Sequence, residues 1–366
     1  MTTQQEQMSK CVVLCQEHFG GAWNKVLGGM IDATVKPLSG GLSNYLYIAS
    51  LPDNLQLEGK EPRKVLLRFY GTAQGDHTTI LKDSLVFALL ADRGLGPKFY
   101  GCFAGGRFEE YIPTTSLKTH ELAYPTHMMK IANAMANFHL LDMPLCKEPN
   151  YLSVKITKSR KEVDKHMQAL RQKPLWKDIT SLNLDFDKEL QWLIKVFSNS
   201  GSSVRFCHND VQEGNILRGS EAGELLLIDF EYAAYNYRAF DVANHFLEWC
   251  YCYDISEPPY FTQKLENYPK MDQQKVFFHH YLEACGVEPT EAEIQKLYLE
   301  TQLFILGPHF VWAFWSLGSA ITSDMNFGYL EYALVRLKAY QEQKEFLQKA
   351  YPFLLQTDKH MKDGEI

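Results

Sequence analysis

The chain lacks the marks of several protein classes. No long run of lysine or arginine occurs in its 366 residues, and the formal net charge is −7. Nucleic acid and anionic membrane surfaces are therefore poor candidates for the main partner, because both are held by clustered positive charge. The eight cysteines form no CxxC pair. Cys250 and Cys252 stand as CxC and read as packing rather than as a metal clip. The opening MTTQQEQMSKCVVLCQEHFGG has no basic stretch followed by an apolar segment and a small-residue cleavage site. No secretory signal is expected, and the thiols are expected to be reduced, in the cytoplasm. The longest apolar stretch, residues 303–321, contains Pro308 and His309, and it reads as a buried helix rather than a membrane span. We find no internal repeat, and no low-complexity tract beyond a few glutamines near the start.

What is present suits a packed globular chain. Hydrophobic residues make up 46% and aromatics 13%, and the length exceeds what one core usually fills, so two lobes are expected. ATVKPLSGGLSNYLYIASLP followed by RKVLLRFYG reads as strand, glycine turn, strand, loop, strand. TTILKDSLVFALLADRGLG reads as a helix with a glycine stop, and PKFYGCF with RFEEYI as a hairpin across Ala104-Gly105-Gly106. From Pro113 the pattern turns to long amphipathic stretches, at 121–141, about 157–172, 183–198, 272–285, 291–306 and 325–350. One β-rich insert interrupts them, SVRFCHNDVQEGNILRGSEAGELLLIDFEY. The fold class this implies is α+β: a small antiparallel-sheet lobe at 1–112 and a large, mainly helical lobe at 113–366, the two-lobed outline of a protein-kinase-like fold.

The insert carries the chemistry. His208-Asn209-Asp210 is followed by Asn215, and LLLIDFE then places Asp229. Phosphoryl transfer asks a protein to orient an acceptor hydroxyl and to hold Mg²⁺ on the phosphates, and carboxylate and amide oxygens suit both tasks. The spacing matches the kinase order of a base Asp, a metal Asn and a later metal Asp, assigning those roles to Asp210, Asn215 and Asp229. Taken singly, each reads more readily as an Asx cap or the end of a buried strand. Their order behind a β-rich first lobe favours the kinase reading.

Supporting parts keep two readings each. Gly40-Gly41-Leu42-Ser43-Asn44 can offer backbone N–H groups to phosphate or form an ordinary hairpin turn. Arg68, in KVLLRFY, stands at the strand site of a phosphate-pairing cation, with Asp83 on the next helix as its partner; its alternative is an incidental cation on an edge strand. No A-P-E element or phosphorylatable segment follows Asp229, so a small-molecule acceptor is expected.

HNDVQEGNIL, LLLIDFEYAAYNYRAFDVANHFLEW and VWAFWSLGSAITSDMNFGYLEYA, with GGLSN, KVLLRFYG and LGPKFYG, resemble the choline/ethanolamine kinase family over roughly residues 35–345. The resemblance implies ATP-dependent phosphorylation of choline for phosphatidylcholine synthesis, ATP and two Mg²⁺ ions, some activity on ethanolamine, and a homodimer. By residue, it implies Asp210 as base with Gln212 and Asn215 beside it and Asp229 on the metal, and a metal-associated, substrate-side carboxylate at Glu248. It also implies bracing roles for Asp241 and Asn244, and adenine recognition by the backbone of Glu110, Tyr111 and Ile112. Trp312 with Trp315, and Tyr329 with Tyr332, match the family's choline cage, and Tyr232 could add a wall. A quaternary ammonium has no N–H to donate, so ring faces and anions must bind it. Without the resemblance, aromatics at that helical spacing are usually core packing. Three positions depart from the family's usual pattern: Ser39 for Arg, Asp83 for Glu, and Glu110 for Gln.

Three rivals follow. An ethanolamine kinase shares the fold but must hydrogen-bond a primary ammonium. An aminoglycoside or other small-alcohol kinase shares the Asp and Asn spacing but has no need for paired Trp and Tyr. A choline-binding pseudokinase scaffold would have no need to keep Asp210, Asn215 and Asp229 together.

Overall fold

The structure, a computed structural model, describes residues 4–26, 33–38, 44–70, 77–219 and 224–357. The chain divides into two compact units, Met1–Thr115 with Leu217–Glu231, and Ser116–Ile216 with Tyr232–Ile366. The expected single cut after Ile112 differs from this grouping, because Leu217–Glu231 returns to the first unit. Phe230 anchors that return, with its ring 6.1 Å from that of Phe87.

In chain order the first unit holds α1 (Gln4–Phe19), β1 (Thr34–Leu38), β2 (Asn44–Ser50), β3 (Lys64–Tyr70), α2 (His77–Asp92), β4 (Phe99–Phe103) and β5 (Gly106–Glu110). The second then supplies α3 (Pro125–His139), α4 (Tyr151–Lys165), α5 (Met167–Arg171), α6 (Trp176–Ser181), α7 (Phe186–Ser198) and β6 (Val204–Cys207). A two-stranded ribbon of β7 (Ile216–Arg218) and β8 (Leu225–Leu227) comes next. The chain closes with β9 (Ala234–Tyr237), α8 (Arg238–Glu248), β10 (Tyr251–Cys252), β11 (Thr262–Gln263), α9 (Met271–Ala284), α10 (Glu291–Phe304), α11 (Leu306–Thr322) and α12 (Tyr329–Ala350).

The first unit is built on an antiparallel sheet in the order β1-β2-β3-β5-β4. Strand alternation sorts its residues by face. Val65, Leu67, Phe69 and Phe108 join one apolar cluster with Cys11, Cys15 and Trp23, so α1 covers that face. The intervening positions carry Arg68, Arg107 and Glu109, all buried. The α1 helix escapes sequence reading because its apolar stripe is narrow, with Met8, Cys11, Val12, Cys15 and Phe19 spaced at helical intervals among polar residues. The hairpin falls where expected, and Gly106 is required there. A Cβ at that position would lie 2.2 Å from the Arg68 carbonyl oxygen, where no side chain fits.

The second unit packs its helices around a core that includes Phe197, Phe240, Phe304, Phe310 and Phe314. Residues Leu306 to Phe314 of α11 are all buried, as the long apolar run requires of a core helix. The stretch Glu291–Thr322 is long and apolar enough to cross a membrane by length and composition, and 78% of its apolar window is buried inside the protein.

Candidate active site

The loop after β6 is held by backbone rather than by chance packing. The amide N–H groups of His208 and Asn209 each donate to Asp241, at 2.8 and 2.8 Å, one to each carboxylate oxygen. Burial alone would raise the Asp241 pKa, but His139 at 3.0 Å, His208 and these amides outweigh it and hold the group below the usual carboxylate range. Asn209 adopts φ 66°, a left-handed conformation that asparagine tolerates better than most residues. Its amide donates to Cys207 O at 3.3 Å and to Tyr232 O at 3.1 Å, and accepts from Asn236 at 2.8 Å. Turning the chain here presents the next residue, Asp210.

Asn215 then reaches back to Asp210. Its Nδ2 donates to the Asp210 carbonyl at 2.9 Å and to Asp210 Oδ2 at 2.9 Å. The amide's nitrogen thus steadies the carboxylate while its oxygen points away, the orientation a metal ligand needs. Gln212 folds back and accepts from Gly214 N–H at 2.7 Å, capping the short turn that carries Asn215. Beyond it, His245 Nδ1 lies 2.9 Å from Val211 O. A carbonyl only accepts, so the proton is on Nδ1, and Nε2 accepts from Trp249 at 3.3 Å. Burial drives the His245 pKa down to about 4. Glu213, buried beside Asn215, accepts from Thr119 at 2.8 Å. Burial and then the charge of Glu248 push it up to about 7.

In the first unit the expected Arg68 and Asp83 bridge is replaced by a four-membered network. Arg68 donates to Glu109 at 2.7 Å, Arg107 donates to the same oxygen at 2.7 Å, and Asp83 pairs with Arg107. The register explains the correction. Arg68 and Arg107 are directly opposed across β3 and β5, so two like charges share one face and need a carboxylate between them. Asp229 belongs to this network, 3.5 Å from Arg68. It sits at φ 63°, and its Oδ1 is buried without a hydrogen bond. Strained backbone and an orphaned oxygen together fit a cation ligand.

Other expected contacts fare unequally. Gly40, Gly41, Leu42 and Ser43, like Ser39, lie outside the described residues. Asn44 opens β2, buried, with Oδ1 lacking a hydrogen bond. Glu110 ends β5; its side chain meets Lys98 at 3.1 Å and its N–H donates to Lys98 O at 2.9 Å. Tyr111 follows, and Ile112 O accepts from Thr114 N–H at 2.8 Å.

The expected ring-bearing residues do meet. Tyr232 packs edge-on to Trp312 at 5.3 Å, Trp312 to Trp315 at 5.8 Å, and Trp315 to Tyr329 at 5.7 Å. Tyr332 joins through Phe327, 5.5 Å from it and 5.0 Å from Tyr329. Asn244, expected to brace the loop, instead accepts the Trp312 indole N–H at 2.7 Å. Glu248 is engaged within the second unit. Arg336 donates to one of its oxygens at 2.6 Å and Tyr253 to the other at 2.8 Å. Each of its oxygens thus accepts one hydrogen bond, and the carboxylate neutralises the buried Arg336.

A family model described as choline/ethanolamine kinase matches residues 35–341. The chain belongs to the choline/ethanolamine kinase family. A human protein named choline/ethanolamine kinase is 43% identical over 343 residues, covering 90% of this chain and 84% of that one. Mouse choline kinase alpha is 40% identical, covering 91% and 80%. Among solved structures, choline kinase from Cryptosporidium parvum superposes with a TM-score of 0.78 at 25% identity, covering 96% of this chain and 99% of that one. A putative aminoglycoside phosphotransferase from Ralstonia eutropha, with a TM-score of 0.57 at 14% identity over 93% and 98%, shares the fold. The expected protein-kinase-like fold is borne out.

Sequence reading of this family member missed Arg107, Glu109, Tyr253, Phe327 and Arg336. Some signals were available. Arg107 and Glu109 alternate on one strand face, and Arg336 stands four residues after Tyr332 on α12. Tyr253 lies beyond a helix end, where no periodicity points to it.

Proposed function

We propose that this protein transfers the terminal phosphoryl group of ATP to the hydroxyl of choline, giving phosphocholine, and that it accepts ethanolamine less well. The observation that carries the reading is a single link within the second unit. Asn209, the neighbour of Asp210, donates to the carbonyl of Tyr232, whose ring packs against Trp312. The acid loop and the aromatic wall are therefore tied together, as a hydroxyl acceptor bearing a quaternary ammonium requires. An aminoglycoside, bearing many N–H donors, has little use for such a wall.

In this reading Asp210 takes the hydrogen bond, and then the proton, of the acceptor hydroxyl, and Asn215 fixes its carboxylate. Asp229 and Asn215 are the residues suited to Mg²⁺, which when bound neutralises phosphate charge. Gln212 and His245 hold the loop. Trp312, Trp315, Tyr329, Tyr332 and Tyr232 receive the ammonium head. A homodimer, and a cytoplasmic location supported by eight free thiols, belong to the same reading, as does burial of Glu291–Thr322 within the protein rather than in a membrane.

An ADP-release assay with choline, ethanolamine, kanamycin and homoserine, with and without Mg²⁺, tests it. Choline should give the highest kcat/KM, and Asp210→Ala should abolish turnover with an unchanged circular dichroism spectrum. Ethanolamine exceeding choline would replace the substrate assignment.

A further inference from the structure

In protein kinases the carboxylate that holds the strand cation comes from a helix, and displacing that helix breaks the pair. Here the carboxylate comes from the sheet. Glu109 is the diagonal neighbour of Arg68 across β3 and β5, in a register that opposes Arg68 to Arg107 and Leu66 to Glu109. Long side chains on one face meet at that spacing. Arg68 Nε donates to Glu109 Oε1 at 2.7 Å, and both side chains are buried. A second nitrogen of the same guanidinium, Nη1, stands 3.5 Å from Asp229. Helix α2 is tied elsewhere. Its Asp83 pairs with Arg107, whose guanidinium also lies 4.3 Å from the ring centroid of Phe87, and its Ser84 shares a hydrogen bond of 2.6 Å with the Tyr70 hydroxyl. Burial opposes the Arg68 charge, but Glu109, then Asp229, then Asp83 more than offset it and raise its pKa.

From this, and resting on the proposed use of ATP, we infer that Glu109 is the positioning residue that aims Arg68 at the nucleotide's phosphates, so that the sheet, and not α2, sets the phosphate-binding cation. A guanidinium recognises phosphate by the orientation of its plane as well as by its charge. Glu109 fixes that plane from the Nε edge and leaves Nη1 on the side of Asp229, the residue suited to the Mg²⁺ that accompanies the phosphates. Ladder hydrogen bonds between β3 and β5 hold Arg68 and Glu109 at a constant spacing, whereas a carboxylate on a helix follows every shift of that helix. Arg107 completes the arrangement. It takes Asp83 for itself and donates to Glu109 at 2.7 Å, so the α2 carboxylate is engaged and the strand carboxylate stays ionised between two cations.

Calorimetric titration of the full chain with Mg²⁺ and ATP, with no alcohol present, tests the inference. Glu109→Gln should weaken ATP binding roughly ten- to a hundredfold, the worth of one charge-assisted hydrogen bond, while choline Kd by the same method changes little. Arg68→Met should abolish that effect: adding Glu109→Gln to it should leave ATP Kd where Arg68→Met alone put it, because Glu109 acts through Arg68. Asp83→Asn should weaken ATP binding less than Glu109→Gln does. Where Glu109→Gln does not fold, Glu109→Asp, which keeps the charge but withdraws it by one methylene, takes its place, with a smaller loss in the same pattern. Additive losses in the double variant, a loss in Asp83→Asn equal to or above that at Glu109, or a parallel rise in choline Kd would each overturn the inference. Wild type that does not bind ATP would instead remove the functional reading beneath it.

Discussion

The charged face of the sheet in the first unit and the ring cluster in the second both bury arginine, yet they use it differently. On the sheet, Arg68 and Arg107 share Glu109 while Asp83 and Asp229 flank them. Counting those five side chains, two positive against three negative, leaves one negative charge in excess, and Asp83 and Asp229 each keep one buried oxygen without a hydrogen bond. In the ring cluster Arg336 and Glu248 pair one to one, and the Tyr253 and Tyr332 hydroxyls hydrogen-bond to them. Around Arg336 the rings of Tyr251 and Tyr332 add π surface to that pair. The comparison teaches how one chain buries arginine in two ways, with carboxylates in excess on the sheet and with one carboxylate among rings in the second unit. In the proposed function, carboxylate oxygen in excess suits a hard, doubly charged ion, and ring faces suit a soft, alkylated one.

The largest effect that sharpens this contrast is a split between turnover and binding. Asp229→Asn keeps the shape and removes the excess charge, and should lower kcat about 10³-fold while choline affinity by calorimetry is nearly unchanged. Trp312→Ala should do the reverse, raising choline KM roughly tenfold with a smaller change in kcat. Exchanged phenotypes would break the comparison.

A second effect concerns the sheet alone. Glu109→Gln leaves two opposed guanidinium groups without their shared carboxylate, and urea denaturation should show a loss of about 3–5 kcal/mol. Burial opposes the Glu109 charge, but Arg68 and Arg107 overcome it and hold its pKa below the usual range, so the loss should be present at neutral pH. An unaltered midpoint would show that the network is not needed to hold the sheet.

His245 gives a smaller, pH-dependent effect in the second unit. Its folded pKa of about 4 lies below the ordinary 6.5, so the unfolded chain binds the proton more readily between those values. The stability it contributes is complete above pH 6.5 and is lost as the pH falls toward 4, by about 3 kcal/mol for a shift of that size. His245→Asn should flatten the fall in unfolding free energy between pH 7 and pH 5. The smallest effect is expected of Tyr332→Phe, which keeps the ring and removes a hydroxyl bonded to Arg336 and Tyr253. It should cost about 1–2 kcal/mol of stability and change choline KM little.

Legibility differed between the two regions for physical reasons. Trp312 with Trp315 and Tyr329 with Tyr332 are one helical turn apart, so local spacing already places each pair on one side of its helix. Asp210 and Asn215 share one loop, and their contact needs no long-range information. Arg68 and Glu109 are 41 positions apart, and only strand register makes them partners. The choice of Asp83 for Arg68 followed the family's pattern and failed because Arg107, opposite Arg68, claimed Asp83. Glu248 and Arg336 are 88 positions apart, and only the packing of α8 against α12 makes them a pair.

By itself the sequence determined the family, the alternation and periodicity that build the two units, and the order of Asp210, Asn215 and Asp229. Those properties depend on residue type and on spacing within a few residues, which covalent geometry translates directly into position. The tertiary structure alone decided which charges are paired, namely Glu109 between two arginines and Arg336 on Glu248. Electrostatic free energy depends on distance and desolvation between groups far apart in the chain, and neither exists until the helices and strands have packed.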